Sequence, residues 1–267
     1  MNLLMDIGNA RIKWALQSVE ALQPGEPLLR LNKAFKDIAR PAWKDLETPQ
    51  RVLISNVAGI DYEKSVITWI KRRWKVTPEF LRAVKSQCGV SNAYKEPARL
   101  GADRWANLLA AHARFPGPAV VVDCGTAITI DGLYADGRHL GGLIAPGIDL
   151  MVASLTDKAP GIELTNCENK DIALLGSSTE VGVRGGVLYT AVSLVDRVLL
   201  DLRAELGSAT RQIITGGDAE RILPLLSTRP AYEPDLVLHG LAAMARSSEA
   251  DNPPKEPVVA QAVACDT

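Results

Sequence analysis

Two short stretches of the chain repeat a pattern with chemical potential: Asp6-Ile7-Gly8-Asn9-Ala10 and Asp123-Cys124-Gly125-Thr126-Ala127. Each sets a carboxylate two residues before a glycine, at the end of an apolar run. In such a turn the backbone N–H groups can point at anionic oxygens while the carboxylate holds a hydrated divalent cation, which is the chemistry of a nucleotide phosphate site. Asp, Gly and Asn are also the residues any tight turn demands, so for either turn taken singly plain hairpin chemistry is the simpler reading. The repetition adds weight, because two halves carrying the same turn can face each other across a cleft and hold one polyphosphate between them. A third stretch, Leu100-Gly101-Ala102-Asp103-Arg104-Trp105, sets an acid beside a base at the start of a predicted helix. Asp103 can cap that helix and Arg104 can be solvated or paired on its surface. Alternatively, Asp103 orients and deprotonates an alcohol while Arg104 and the helix N–H groups hold an anionic substrate. On the residues alone the cap is the simpler reading.

The elements that must carry these residues follow from the flanking pattern. Leu3-Leu4-Met5 and Val120-Val121-Val122 lead into the two turns, and alternating segments follow them. A buried run, a tight turn and period-two alternation predict a central strand entering a hairpin. The chain therefore reads as two similar halves. Breakers at Phe115-Pro116-Gly117-Pro118 set the boundary, giving one domain over 1–116 and another over 117–246. Residues 247–267, with Pro253, Pro254 and Pro257, have the makeup of a flexible tail. Arg51 to Val57 predicts a further strand, and Trp105, Leu108, Leu109 and His112 recur at helical spacing. Gly141 to Gly147 reads as strand and loop, and Ser177 to Leu202 as a long helix with Ser177 and Glu180 placed like a capping box. Gly182, Gly185 and Gly186 either break that helix or let another backbone approach, at a helix or subunit contact. Gln212-Ile213-Ile214 feeds the glycine turn Thr215-Gly216-Gly217-Asp218 and another helix.

Composition narrows the classes. The 267 residues are 47% hydrophobic and 23% charged, a folded globular composition rather than a disordered, collagenous or coiled-coil one. Thirty Lys and Arg against thirty-one Asp and Glu leave a formal charge of -1, so bulk charge gives no support to nucleic-acid binding. The apolar run before Asp6 is too short for a signal-peptide core, and no stretch approaches the roughly 18 apolar residues of a membrane helix. Cys88, Cys124, Cys167 and Cys265 stand singly and only three histidines are present, so neither a zinc site nor a disulfide framework is indicated. The expectation is a cytoplasmic protein with reduced thiols. Neither a G-x-x-x-x-G-K-[ST] loop nor a G-x-G-x-x-G fingerprint occurs, so P-loop and Rossmann phosphate sites are unsupported.

Four motifs taken together are more specific. Asp6-Ile7-Gly8-Asn9, Leu-Gly-Ala-Asp-Arg at 100–104, Asp-Cys-Gly-Thr at 123–126 and Gly-Gly-x-Ile-x-Pro-Gly at 141–147 resemble, in order and spacing, the type III pantothenate kinases, a family that includes the bacterial Bvg accessory factors. The likeness spans about residues 1–245. It implies an α/β fold of two ribonuclease H-like domains, with mixed sheets flanked by helices, as in the acetate and sugar kinase, Hsp70 and actin superfamily, and ATP bound between the domains. It also implies ATP-dependent phosphorylation of the primary hydroxyl of pantothenate, the first step of coenzyme A synthesis.

By the same resemblance, Asp6, Ile7, Gly8, Asn9, Ala10, Arg11, Ile12 and Lys13 form the phosphate-binding segment, with Asp6 serving Mg²⁺ through water, and Thr126 makes a second phosphate contact. Asp123 is the ligand of a monovalent cation, potassium or ammonium. Asp103 is the proton acceptor, and Tyr94, Gly101, Ala102, Asp103 and Arg104 contact pantothenate. Thr179 makes a further substrate contact, delivered from the neighbouring subunit of a homodimer. Gly216 and Gly217 lie near the adenosine, or form a plain helix-entry turn. One departure is Ala10, where the family commonly has Ser or Thr. If the missing hydroxyl made a charge-assisted bond, its loss costs roughly 1.5 to 3 kcal/mol. Two rival readings remain at this stage: a phosphotransferase of the same fold with another small acceptor, and a regulatory protein that keeps the fold and has lost catalysis.

Overall fold

The computed structural model describes residues 1–251 apart from 20, 32, 160, 163 and 165–174. Cys167, Cys265 and the prolines at 253, 254 and 257 lie outside the described residues.

The predicted duplication is realised strand for strand. The first sheet contains β1 (Asn2–Ile7), β2 (Arg11–Gln17), β3 (Leu22–Pro24), β4 (Leu28–Leu29), β5 (Arg51–Asn56) and β6 (Glu79–Phe80), in the order β3-β2-β1-β5-β6 with β4 also on β2. A small ribbon follows, β7 (Ser86–Gln87) with β8 (Val90–Ser91). The second sheet contains β9 (Ala119–Cys124), β10 (Ala127–Leu133), β11 (His139–Pro146), β12 (Arg211–Thr215) and β13 (Ala231–Tyr232), in the order β11-β10-β9-β12-β13. In both sheets the central strand pairs antiparallel with the strand of its own hairpin and parallel with its other neighbour. The helices are α1 (Phe35–Ala42), α2 (Ile60–Trp74), α3 (Ala102–Arg114), α4 (Ile148–Lys158), α5 (Thr179–Leu206), α6 (Ala219–Ile222) and α7 (Leu236–Asp251).

Both central strands are covered on both faces, which is why they read as unbroken apolar runs. Successive side chains point to opposite sides: Leu3, Met5 and Ile7 enter a core with α1 and α2, while Leu4 faces α3 and α7. On β9, Val120 and Val122 pack toward α5 and Val121 toward α3. Helix α3 lies between the two sheets, touching β5 on one side and β9 and β10 on the other, and buries nearly all of its length. It packs on α7 so closely that a Cβ at Gly240 would overlap the carbonyl of Ala106.

Two local expectations are corrected. The long helix starts at Thr179 with Ser178, not Ser177, as its N-cap, the hydroxyl accepting the N–H of Val181 at 3.3 Å. Its glycines do not break it, since packing of Leu188, Ala191, Val195 and Leu199 into the second core outweighs their low helix propensity. Helix α7 continues to Asp251, into the stretch read as tail.

Candidate active site

Because β1 and β5 are parallel, and β9 and β12 likewise, each sheet presents strand carboxyl ends and a hairpin turn on one side, the usual location of ligand crevices in α/β sheets. A cleft of about 420 Å³ lies there, lined from the first half by Asp6, Gly8 to Arg11 and Lys13, and from the second by Asp123, Gly125 to Ala127 and Gly216 to Asp218. Asp103, at the second position of α3, also faces it. The structure thus brings together Asp6, Asp103, Asp123 and Thr126, far apart in sequence. Ile7 and Ile12 pair across the hairpin and are fully buried in the first core, so only their backbone belongs to the turn. Gly216 has φ of +98° and a Cβ there would overlap the backbone of Cys124; Gly217 lies beside the guanidinium of Arg11. Gly147 donates its N–H to the carbonyl of Thr126 at 2.9 Å, in a space that a side chain would fill. That close approach explains the last glycine of the 141–147 motif.

The electrostatics of this end are strained. Burial, followed by the charges of Asp103 and Asp123, pushes Asp6 up to about 7. Burial and then Asp103 push Asp123 up to about 6, against a hydrogen bond from Asn107 Nδ2 at 2.9 Å. Burial also raises Asp103, opposed by the N–H of Arg104, which its Oδ1 accepts at 2.8 Å. Lys13 lowers both Asp6 and Asp123. Cys124 is pushed up to about 12 by burial and by Asp123, so it is no thiolate nucleophile. Among the described residues no group of three or more His, Cys, Asp or Glu is arranged to chelate an ion. Asp6 Oδ1 is nevertheless buried and without a hydrogen-bond partner among them. A lone buried carboxylate oxygen near two other acids fits a hydrated cation carried on phosphate oxygens and reached through water.

The helix-cap reading of Asp103 and the surface reading of Arg104 are both corrected. Gly101 is the N-cap, and a Cβ there would lie 2.6 Å from Asp103 Oδ1, so the glycine leaves room for that carboxylate. Arg104 is only 4% exposed. Its Nε and Nη2 donate to the two oxygens of Asp131 at 2.8 and 2.6 Å, and its Nη1 donates to Tyr94 Oη at 2.8 Å. His139 Nε2 lies 2.9 Å from Asp131 Oδ1, and its ring stacks on Tyr94. The backbone N–H of Ala93 points at His139 Nδ1 at 3.5 Å. A backbone N–H only donates, so Nδ1 is the acceptor and Nε2–H the donor to Asp131. Three of the five guanidinium N–H groups are therefore committed, and the charge of Arg104 is balanced within the fold.

Asp131 and His139 escaped the sequence reading, although an acid in the apolar strand Ile128 to Leu133 is a signal that a buried cation must meet it. Asp131 sits opposite Gly142 in the β10–β11 ladder, where a Cβ would overlap Asp131 Oδ1 and Arg104 Nη2. That accounts for the second glycine of the motif. Thr179 is not on this cleft. It lines a separate, mostly apolar hollow of about 890 Å³ between α4 and α5, with Leu150 common to both.

A family model for type III pantothenate kinase matches residues 2–201. A type III pantothenate kinase of Nitrosococcus oceani is 42% identical over 258 residues, covering 93% of this chain and 95% of its own. One from Burkholderia thailandensis is 37% identical over 259 residues, covering 92% and 98%. Among solved structures, the activator of 2-hydroxyisocaproyl-CoA dehydratase from Clostridium difficile, with bound ADPNP, superposes with a TM-score of 0.54 at 12% identity, covering 96% of this chain and 98% of its own. The fold, two mixed sheets built on the same strand order with helices packed on them, is thus shared with that activator.

Proposed function

The chain belongs to the type III pantothenate kinase family, and from that premise we propose how its cleft carries out the reaction. The protein is a phosphotransferase that moves the terminal phosphoryl group of ATP to pantothenate, for coenzyme A synthesis. The observation that carries the site assignment is the convergence of Asp6, Asp103 and Asp123 with the two duplicated turns on one cleft.

In our reading the turn Gly8 to Arg11, Lys13 and Thr126 hold the ATP phosphates, and Gly216 and Gly217 border the adenosine. Asp6 meets Mg²⁺ through water and Asp123 meets a monovalent cation. Cations there would offset the acid cluster and the charge spreading over the transferring phosphoryl group. The hydroxyl oxygen of pantothenate forms a bond to the γ-phosphorus as the bond to the β–γ bridging oxygen breaks. ADP leaves, and the hydroxyl proton passes to the Asp103 carboxylate. Burial raises Asp103, which brings its proton affinity closer to that of a working base near neutral pH. Tyr94, Gly101, Ala102 and Arg104 form the acceptor side. Arg104 brings fixed N–H directions there rather than an unbalanced charge, because Asp131 already neutralises it.

We also propose a homodimer joined through the hollow between α4 and α5, so that Thr179 of one copy completes the acceptor site of the other. The apolar lining of that hollow and its sharing of Leu150 with the cleft support this. The division into 1–116 and 117–246 follows the duplicated sheets, with α3 and α7 packed in the core they share, and α7 carries the second unit on to Asp251. No helix among the described residues is long and apolar enough to cross a membrane, and a reaction fed by ATP is assigned to the cytoplasm.

The test is phosphorylation of pantothenate by the purified protein with MgATP, in potassium or sodium as sole monovalent cation. Product in potassium and much less in sodium is the expected outcome. Equal rates remove the role given to Asp123, and no product from folded protein in either salt removes the kinase reading.

A further inference from the structure

The first hairpin turn brings no side-chain hydroxyl to the cleft at position 10, since that residue is alanine. Whatever the turn offers to phosphate oxygens from there is main chain, and backbone donors serve only if the peptide planes are held in the right orientation. In most two-residue hairpins the turn is closed by its own backbone bonds. Here the Gly8 N–H closes the hairpin on the Arg11 carbonyl at 3.1 Å, but the carbonyls of Gly8, Asn9 and Ala10 are taken up from outside it. Arg30 Nη1 donates to the carbonyl of Gly8 at 2.7 Å and to that of Asn9 at 3.0 Å, and the backbone N–H of Arg30 donates to the carbonyl of Ala10 at 2.9 Å. Three consecutive carbonyls of the turn thus end on one residue. The guanidinium is itself seated over the ring of Tyr62, 4.0 Å from its centroid, so α2 gives it an anchor outside the turn it binds.

In a trans peptide the C=O of one residue and the N–H of the next point in opposite directions. Arg30 is not part of the cleft wall, whereas Gly8, Asn9 and Ala10 are. Carbonyls drawn toward Arg30 therefore turn the N–H groups of Asn9 and Ala10 to the other side of the turn. We infer that Arg30 is a positioning residue for phosphate binding, clamping the Gly8–Ala10 carbonyls so that the Asn9 and Ala10 N–H groups face the ATP phosphates. The inference rests on the reading of segment 6–13 as the phosphate turn.

Calorimetric titration of the full-length protein with MgATP and, separately, with adenosine tests both and keeps them apart. The preference of the wild-type protein for ATP over adenosine measures what the phosphates contribute, and no such preference overturns the reading of segment 6–13 itself. Given that preference, Arg30→Ala should lower ATP affinity about tenfold or more, the loss expected when charge-assisted bonds are removed. Adenosine affinity and the KM for pantothenate should stay within about twofold on the same scale. A general loss of fold would move all three together. Arg30→Lys, which keeps the charge and the stem but not the fork, should fall between Arg30→Ala and the wild type, and it serves as the test should Arg30→Ala not fold. ATP preference unchanged in either variant, or lost in step with adenosine affinity, overturns the role given to Arg30.

Discussion

The acid cluster of the cleft and the buried network around the neighbouring Arg104 are built on opposite electrostatic plans. At the turn end, Asp6, Asp103 and Asp123 are buried together, each held above the ordinary carboxylate range. In the network proposed as the acceptor side, Arg104, Asp131, His139 and Tyr94 bond one another at 2.6 to 2.9 Å, and the Arg104 charge is paired with that of Asp131. The first stores repulsion that Lys13 offsets only in part and that an arriving cation or proton relieves. The second is complete before any ligand binds, so its geometry is fixed in advance. On the proposed assignment, the acceptor-side groups are fixed by folding and the acid cluster is left to be finished by the nucleotide.

Removing one acid from each separates the two plans. Asp103→Asn should lower turnover by about 10²- to 10⁴-fold, the range a general base contributes, in steady-state assays with pantothenate. Its melting temperature should hold or rise, because a buried charge leaves the acid cluster. Near-wild-type turnover would deny Asp103 the role of base. Asp131→Ala should do the reverse. It strands the Arg104 charge in a site 3% to 4% exposed, at a cost of about 3 to 5 kcal/mol in denaturant unfolding, and it frees Tyr94, so the KM for pantothenate should rise more than that for ATP. A loss under about 1 kcal/mol would mean that water reaches the pair as it reaches surface ion pairs, and the contrast between the two regions would collapse.

The stored repulsion should be visible in the pH dependence of stability. Asp6 and Asp123 stand at about 7 and about 6 when folded, against roughly 3.9 for an unfolded aspartate. The folded state therefore binds more protons between these limits, and the stabilisation is largest below about pH 4 and lost as the pH rises through about 7. Ligand-free protein should melt several degrees lower at pH 8 than at pH 5 by calorimetry. Asp6→Asn should narrow that gap, and so should saturating MgATP. A gap indifferent to both would place the pH response elsewhere in the chain.

The sequence disclosed these two regions unequally. The turn end is local: Asp6-x-Gly8 and Asp123-x-Gly125 are contiguous patterns whose repetition announces a duplicated fold, and apolar runs around them foretell the central strands. The acceptor network is not local. Asp131 meets Arg104 only because β10 passes beside α3, and Gly142 shows its purpose only once it is known to sit opposite Asp131. Arg104 accordingly read as a surface residue, and Asp103 as a cap, since neighbours in sequence gave no hint of a partner 27 positions away. Arg30 was invisible for the same reason, the two carbonyl partners of its guanidinium lying 21 and 22 residues back. Even Ser178 against Ser177 was decided by which residue leaves the helix first, a detail that residue type does not resolve.

The smallest effect bears on how finished the turn end is without its nucleotide. Read from residue types, Ala10 costs the turn a hydroxyl, and restoring it with Ala10→Ser ought to recover a charge-assisted bond of roughly 1.5 to 3 kcal/mol, a gain of tenfold or more in ATP affinity. Read from the structure, the neighbouring carbonyls are already fixed by Arg30, so the backbone donors are in place and a serine adds one ordinary hydrogen bond among several. The expected gain is then about 0.5 to 1 kcal/mol, or two- to fivefold in the dissociation constant for MgATP by calorimetry. In the Arg30→Ala background the same serine should gain more, because it would supply an oriented donor where the backbone no longer does. Equal gains in both backgrounds would make the two sites independent, and the turn would owe its shape to the hairpin alone.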